Sequence, residues 1–181
     1  MAYVPINGRR MGSPVVITPP VCDGRMIIRR RTSLELGLAA LAAVARPSDA
    51  CAIPADQSLG PQIGDVFVRE SDLSRRVTVG MLPESGAPTL VWPMDSTTGI
   101  TRNGRRFNQI LLLRPAPPGA GTQILAFTAI CPHAGCVVTE WVPERALLKC
   151  PCHGSEYDPR KNGAVVAGPS ALPLPTLPVG W

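Results

Sequence analysis

Both histidines of this 181-residue chain lie in a cysteine-rich constellation made of two short segments. The first reads Cys-x-His-x-x-Cys, from Cys131 to Cys136, and the second reads Cys-x-Cys-His, from Cys150 to His153. Together they offer four thiols and two imidazoles, which are common ligands of transition metals. Two cysteines and two histidines suit a [2Fe–2S] cluster in which imidazoles replace thiolates on one iron. The spacing therefore predicts one-electron redox chemistry at this site.

A structural zinc site is the alternative use of the same side chains. Zinc takes four ligands in closed pairs, commonly as Cys-x-x-Cys followed by a second pair. Neither segment has that spacing, and a four-coordinate zinc leaves two thiols without a role. The pattern therefore favours the iron–sulfur cluster and leaves a structural zinc-binding module as the non-redox alternative.

The segment from Ala129 to Pro169 resembles the Rieske iron–sulfur protein family, and a weaker resemblance extends over residues 64–179. It reads Cys-Pro-His-Ala-Gly-Cys, thirteen further residues, Cys-Pro-Cys-His-Gly-Ser-Glu-Tyr-Asp-Pro, and finally Gly-Pro. The resemblance assigns every cysteine and histidine of the motif, together with four residues that follow. It implies the cluster ligands Cys131, His133, Cys150 and His153, a disulfide between Cys136 and Cys152, hydroxyl donors at Ser155 and Tyr157 that tune the cluster, and a shielding loop at Gly168 and Pro169.

The resemblance also implies a biological role. It is strongest to the Rieske subunit of quinol–cytochrome c reductase complexes, which passes electrons from quinol to a c-type haem and works beside cytochrome b. The alternative is the small electron-transfer subunit of a periplasmic molybdenum oxidoreductase of the arsenite oxidase type, with a molybdopterin subunit as partner. The chain has no Cys-x-x-Cys-His haem motif. We therefore expect an electron-transfer subunit whose redox partners supply the other cofactors, rather than a stand-alone enzyme.

Composition favours a loop-rich β fold, because the chain has 21 prolines, 17 glycines and only 4% aromatic residues. Short runs rich in Val, Ile and Leu predict strands at residues 65–69, 76–81, 89–93, 109–114 and 123–130. A hairpin is predicted from residues 137–142 and 146–149, and it brings the two cysteine-rich segments together. The expected fold is an all-β Rieske-type antiparallel β-sandwich with a cluster-binding subdomain of two ligand loops.

The positive charge is concentrated near the N-terminus. Residues 1–52 carry seven arginines against three acidic residues, which accounts for +4 of the total charge of +5. The remainder is nearly neutral, so the composition argues against nucleic-acid binding. Three arginines at 29–31 precede a 14-residue apolar stretch ending at Ala45, and Ala50-Cys51-Ala52 offers a small-x-small cleavage pattern. This region resembles a twin-arginine export signal; the alternatives are a short membrane anchor and an amphipathic helix packed on a partner.

These observations divide the chain into four parts. Residues 1–25 are a disordered leader, or a gene-model extension if translation starts at Met26. Residues 26–52 are the signal or anchor, 53–64 a linker, and 65–181 the Rieske domain, with its cluster-binding part at 129–169. An exported protein at the periplasmic face of the inner membrane, or free in the periplasm, suits a disulfide, which does not persist in the cytosol. Family members usually continue beyond the position of Trp181 with a further strand, so we expect either that the fold closes differently at the far edge of the sheet or that the gene model is short.

Overall fold

The structure is a computed structural model that describes residues 12–18, 55–114 and 123–181. Its strands are β1 (Val16–Ile17), β2 (Val66–Arg69), β3 (Asp72–Arg76), β4 (Thr89–Met94), β5 (Ile110–Leu113), β6 (Leu125–Thr128), β7 (Glu140–Val142), β8 (Leu147–Lys149), β9 (Glu156–Asp158), β10 (Ala164–Ala167), β11 (Thr176–Leu177) and β12 (Val179–Gly180). The helices in these ranges are α1 (Ala55–Ser58) and the 3-10 turns Val79–Met81, Arg106–Asn108 and Pro159–Lys161. The strand pairs between these elements are antiparallel. The predicted all-β class is confirmed.

The larger sheet has eight strands and curls back on itself. Its order is β11-β6-β5-β4-β2-β1-β12, and β3 pairs with β2 outside this path. The two outermost strands, β11 and β12, are separated in the chain by Pro178 alone. Opposite edges of the sheet must therefore lie close together, which gives it a barrel-like shape that protects its edges.

The smaller sheet, in the order β10-β9-β8-β7, carries the cysteine-rich segments. The first segment connects β6 to β7, and the second connects β8 to β9. The predicted hairpin is present, because Glu140 pairs with Lys149 and Val142 with Leu147. It places the start of the second segment beside the end of the first, as the sequence predicted.

Strand β5 is buried on both faces and joins two hydrophobic cores. Ile110 and Leu112 belong to the core inside the curled sheet, together with Phe67. The alternating residues Leu111 and Leu113 belong to the core between the two sheets. Because successive side chains of a strand point to opposite faces, a continuous apolar run is the pattern that such a central strand requires. The second core lies directly beneath the cysteine-rich segments and supports them.

Some predicted elements differ from those observed. The strand expected at residues 76–81 is wrong in its bounds, because β3 ends at Arg76 and a 3-10 turn occupies Val79–Met81. Val77 and Val79 are buried in the first core, so their apolar character reflects packing rather than a strand. Strands β9 and β10 were not predicted. Their short length leaves little periodicity in the sequence.

The structure adds elements that lie before the domain boundary predicted at residue 65. Residues 16 and 17 form β1, which pairs with both β2 and β12, although they fall in the segment expected to be a disordered leader. Within the predicted linker, the carbonyl of Leu59 accepts a hydrogen bond from the Asn108 side chain at 2.6 Å. The 26–52 signal or anchor lies outside the described residues. Among those described, no helix is both long and apolar enough to span a membrane.

Candidate metal centre

The two cysteine-rich segments form six-residue loops with the same backbone hydrogen bonds. In the first ligand loop (residues 131–136) the N–H of Cys131 donates to the carbonyl of Cys136 at 2.8 Å, and the N–H of Gly135 donates to the carbonyl of Cys131 at 2.9 Å. The second ligand loop (residues 150–155) repeats both bonds at 2.8 and 3.0 Å. The fifth residue is a glycine with φ of +72° in each loop. Glycine adopts this left-handed conformation without a steric penalty, which explains its presence at both positions.

The four predicted ligands form two close pairs, each with one residue from either loop. Cys131 and Cys150 are buried free thiols, 2% and 1% exposed. His133 and His153 are exposed, and their ring centroids lie 4.8 Å apart in an edge-to-face arrangement. The site therefore presents two thiols on the protein side and two imidazoles on the solvent side. This donor set fits a cluster with two sulfur and two nitrogen ligands.

The other two cysteines of the ligand loops form the predicted disulfide. The Cys136–Cys152 bond joins the first loop to the second across a sequence separation of 16 residues. The sulfur of Cys150 lies within 4.8 Å of both disulfide sulfurs. Because the disulfide sulfurs carry no ionisable proton, they are not available as thiolate ligands. The disulfide therefore ties the two ligand loops together. The two free cysteines and the two histidines of the loops remain as possible metal ligands.

Tyr157 lies beneath the first loop and contacts a predicted ligand. It is fully buried, and its hydroxyl oxygen is 3.0 Å from the sulfur of Cys131. Burial and this hydrogen bond raise the pKa of Tyr157 to about 12. The phenol therefore keeps its proton at neutral pH, so its O–H is available to donate a hydrogen bond to the sulfur.

The two buried thiols differ in acidity. Burial disfavours ionisation of Cys131, but hydrogen bonds from Tyr157 and from the backbone N–H of His133 and Ala134 outweigh it, and the pKa of Cys131 is lowered. Burial and the neighbouring Cys131 sulfur raise the pKa of Cys150. Two adjacent thiolates repel each other in a site of low polarity. A bound cationic metal removes this repulsion, because it supplies the opposite charge directly.

Ser155 connects the second ligand loop to a third loop (residues 168–170). Its hydroxyl oxygen accepts a hydrogen bond from the backbone N–H of Ser170 at 3.2 Å, and both residues are buried. A Cβ atom placed on Gly168 would lie 2.4 Å from the Cα of Ser155, so the backbones are in direct contact. Gly168 and Ser170, on either side of Pro169, thus contact the second loop, where the resemblance implied a shielding segment.

Comparison with known families agrees with this arrangement. Residues 90–178, which include both ligand loops and the third loop, match the family described as the Rieske [2Fe-2S] domain. This part of the chain is a Rieske domain.

Similar proteins share the Rieske region but only a fraction of their length. A Haloferax mediterranei protein named as a respiratory nitrate reductase Rieske subunit is 44% identical over 54 residues, which is 30% of this chain and 24% of that protein. The cytochrome b6-f complex iron-sulfur subunit of Chlorobaculum tepidum is 41% identical over 54 residues, which is 30% of this chain and 28% of that protein. The corresponding subunit of Nostoc punctiforme is 54% identical over 46 residues, which is 25% of this chain and 24% of that protein. The chain thus matches about a quarter of the length of these curated relatives. A plasma membrane Rieske protein of Synechocystis, of known structure, is 32% identical, with 38% of this chain and 63% of that chain covered and a TM-score of 0.32.

The Rieske domain also has neighbours of the ligand loops that the sequence did not reveal. The guanidinium of Arg106 lies 3.1 Å from the position that a Cβ on Gly135 would take. Leu174 is buried in the core beneath the loops, and its N–H donates to the carbonyl of Gly163 at 2.9 Å. Arg106 is 29 positions from Gly135 in the chain, and no motif connects them. Only the folded β5–β6 pair shows that they meet.

Proposed function

We propose that the Rieske domain transfers single electrons through one [2Fe–2S] cluster, with Cys131 and Cys150 on one iron and His133 and His153 on the other. The observation that carries the proposal is the pairing of two buried free thiols with two adjacent, exposed imidazoles. When bound, such a cluster supplies one-electron redox chemistry at roughly −150 to +300 mV.

The surrounding residues have separate tasks in this proposal. The Tyr157 hydroxyl donates to the sulfur of Cys131 and favours the more negative, reduced state. Ser155 holds the third loop against the second ligand loop. The exposed imidazoles of His133 and His153 provide the surface at which a quinol binds and gives an electron to the cluster. The electron then passes from the cluster to the next carrier.

We further propose that the chain is the iron–sulfur subunit of a quinol–cytochrome c reductase-like complex, exported to the periplasmic side of the inner membrane. The similarity to cytochrome b6-f iron-sulfur subunits supports this role, and the disulfide suits an oxidising compartment. Its partners would then be cytochrome b and a c-type cytochrome. A cytochrome b gene beside this one is expected.

A second candidate is an electron-transfer subunit of a periplasmic molybdenum oxidoreductase. The similarity to a protein named as a respiratory nitrate reductase subunit supports a role in a respiratory oxidoreductase of this kind. A molybdopterin-subunit gene beside this one would support this candidate. A midpoint potential that does not change with pH in the alkaline range would also favour it, because a quinol that gives one electron to the cluster also releases a proton, which the exposed imidazoles would have to accept.

The cluster itself is tested on natively purified protein. We expect about two iron and two acid-labile sulfide per chain, with a Rieske-type EPR signal after reduction. The His153→Ala variant should lose that signal, whereas Pro151→Ala, an exposed change in the same loop, should keep it. Stoichiometric zinc without sulfide would identify a structural zinc site on the same four residues and reject the redox proposal.

A further inference from the structure

Beside the first ligand loop, Arg105, Arg106 and Phe107 form an exposed surface that we call the arginine patch. The Arg106 guanidinium lies against Gly135, two residues beyond the predicted ligand His133. Its central carbon is 5.2 Å from the centre of the Phe107 ring. Phe107 is 61% exposed, so a large apolar ring borders the charged groups. The patch thus combines positive charge and apolar area next to the exposed imidazoles.

The charges of the patch are not neutralised within the part of the chain that the structure describes. Neither Arg105 nor Arg106 forms an ion pair with a described carboxylate within 4.0 Å. Glu70, which lies near the same end of β5, instead accepts a hydrogen bond from the side chain of Gln109 at 2.9 Å. At the opposite end of β5, Arg114 pairs with Glu84 at 3.2 Å. The two ends of the strand therefore differ in whether their cations are paired.

Buried contacts fix the position of the patch. Its 3-10 turn ends at Asn108, which is 4% exposed. The Asn108 side-chain amide donates to the carbonyls of Leu59 and Arg102 at 2.6 and 2.9 Å. A surface that is already ordered loses little conformational entropy when a partner binds.

We propose that the arginine patch docks an acidic redox protein that exchanges electrons with the Rieske domain, an inference that rests on the function proposed above. Unpaired arginines next to an aromatic ring are typical of strong contact points at protein interfaces. Two cations beside the electron-exchange site attract an acidic partner and orient it during encounter. Such a partner carries carboxylates around the exposed edge of its own electron carrier.

The experiment follows electron transfer from the reduced holoprotein to an oxidised, acidic c-type cytochrome in a stopped-flow instrument. Arg105→Gln and Arg106→Gln are compared with Arg114→Gln, which removes the same charge at the far end of β5. At about 10 mM ionic strength, where charges act over about 30 Å, each patch variant is expected to slow the second-order rate about three- to tenfold. At about 1 M the difference should disappear, and Arg114→Gln should match the parent at both concentrations.

Several results would overturn the docking proposal while leaving the cluster in place. One is equal slowing by Arg114→Gln, which would mean that net charge alone matters. Another is a slower rate in Arg105→Gln that is fully explained by a change in its measured midpoint potential. That result would mean that the Arg105 charge tunes the cluster rather than attracting a partner. Faster reaction of the parent with a basic cytochrome than with the acidic one would reject an acidic partner. Absence of iron and sulfide from the parent, by contrast, would reject the proposed function itself.

Discussion

Tyr157 places one proton donor against one ligand sulfur in a fully buried setting. With a pKa raised to about 12, its hydroxyl remains protonated over the working range of a protein. A hydrogen bond to an anionic sulfur stabilises whichever redox state carries more negative charge, which is the reduced one. This makes Tyr157 the residue whose effect on potential is easiest to isolate, because Phe preserves the buried ring.

For Tyr157→Phe we predict a midpoint potential lower by tens of millivolts. A hydrogen bond to a charged group contributes about 1.5–3 kcal/mol, and the difference between two redox states is smaller. One kcal/mol corresponds to about 43 mV for a one-electron couple, scaled from the two-electron conversion. Protein-film voltammetry gives the value, and iron content verifies that the cluster is intact. An unchanged potential would show that Tyr157 only packs beneath the loop.

Gly168 tests how closely the third loop approaches the second. Its φ is +88°, and a Cβ would lie 2.4 Å from the Cα of Ser155. Gly99 has a similar φ of +73° with open space around it. Gly99→Ala should therefore cost only the backbone strain, about 1 kcal/mol. Gly168→Ala should destabilise the protein by clearly more in urea unfolding, because backbone must move. Equal losses of stability in the two variants would mean that the third loop moves easily to make room for the added Cβ.

At the residue level, the sequence predicts side-chain chemistry better than side-chain neighbours. Cysteine and histidine spacing was enough to expect the Cys136–Cys152 pairing through family resemblance, and the structure confirms it. The contact of Ser155 with Ser170 was missed, because a serine hydroxyl fits many turns and only the fold selects its partner. The approach of Arg106 to Gly135 was also missed, because only the fold brings these two distant positions together.

At the scale of elements, a buried ion pair holds the segment that leads into β5. The Arg102 guanidinium donates to both carboxylate oxygens of Asp65, at 2.7 and 3.1 Å, and also contacts Asp95 at 3.2 Å. The side chains of Arg102 and Asp65 are 5% and 3% exposed. This pair joins the start of β2 to the chain that carries the arginine patch.

Asp65→Asn should therefore destabilise the domain strongly. Removing one partner of a buried pair leaves a charge without compensation and costs about 3–5 kcal/mol. Glu140→Gln breaks the Glu140–Lys149 pair, whose side chains are 47% and 38% exposed, and should cost at most about 1 kcal/mol. Urea denaturation of the two variants under the same conditions gives the comparison. Similar small losses in both would show that Arg102 is held by its other contacts.

Strand β9 should make the smaller sheet sensitive to acid. The hydrogen bond from Arg145 at 2.6 Å lowers the pKa of Glu156 below its ordinary value of 4.5. The unfolded chain then binds more protons, so this stabilisation is present above about pH 4.5 and is lost as pH falls through the folded pKa. Glu156→Gln should lower stability at pH 6 and flatten its decline between pH 5 and 3. Glu84→Gln, in an exposed pair, should leave that decline unchanged.

Elements with strong local patterns were predictable, and those made by long-range pairing were not. The apolar run of β5 and the β7–β8 hairpin depend on residues close in sequence, and both are present. By contrast, β10 pairs with β9 across an irregular register, and β1 has only two residues. Such short strands are stabilised by their partners rather than by intrinsic propensity, so a single sequence carries little signal for them.

At the scale of the whole molecule, β1 closes the larger sheet. It lies between β2 and β12, and it pairs Val16 with Gly180 and Ile17 with Val179. A strand within the segment expected to be a disordered leader or a gene-model extension therefore joins the first described residues to the last ones. A cleavage after Ala52, as the export-signal prediction requires, would remove this strand and expose the edges of β2 and β12.

Deletion of residues 1–18 should consequently destabilise the Rieske domain, whereas deletion of residues 1–11 should not. Val15 and Ile17 are 0% and 6% exposed in the first core, and burying two such side chains contributes about 3–6 kcal/mol at most. The Ile17 N–H also donates to the carbonyl of Asp65 at 3.0 Å, and its carbonyl accepts from Gly64. Equal urea midpoints for both deletions would show that β1 adds nothing. N-terminal sequencing of the natively exported protein complements this test. A mature chain that begins after Ala52 cannot contain β1. A mature chain that retains residues 12–18 is incompatible with that cleavage.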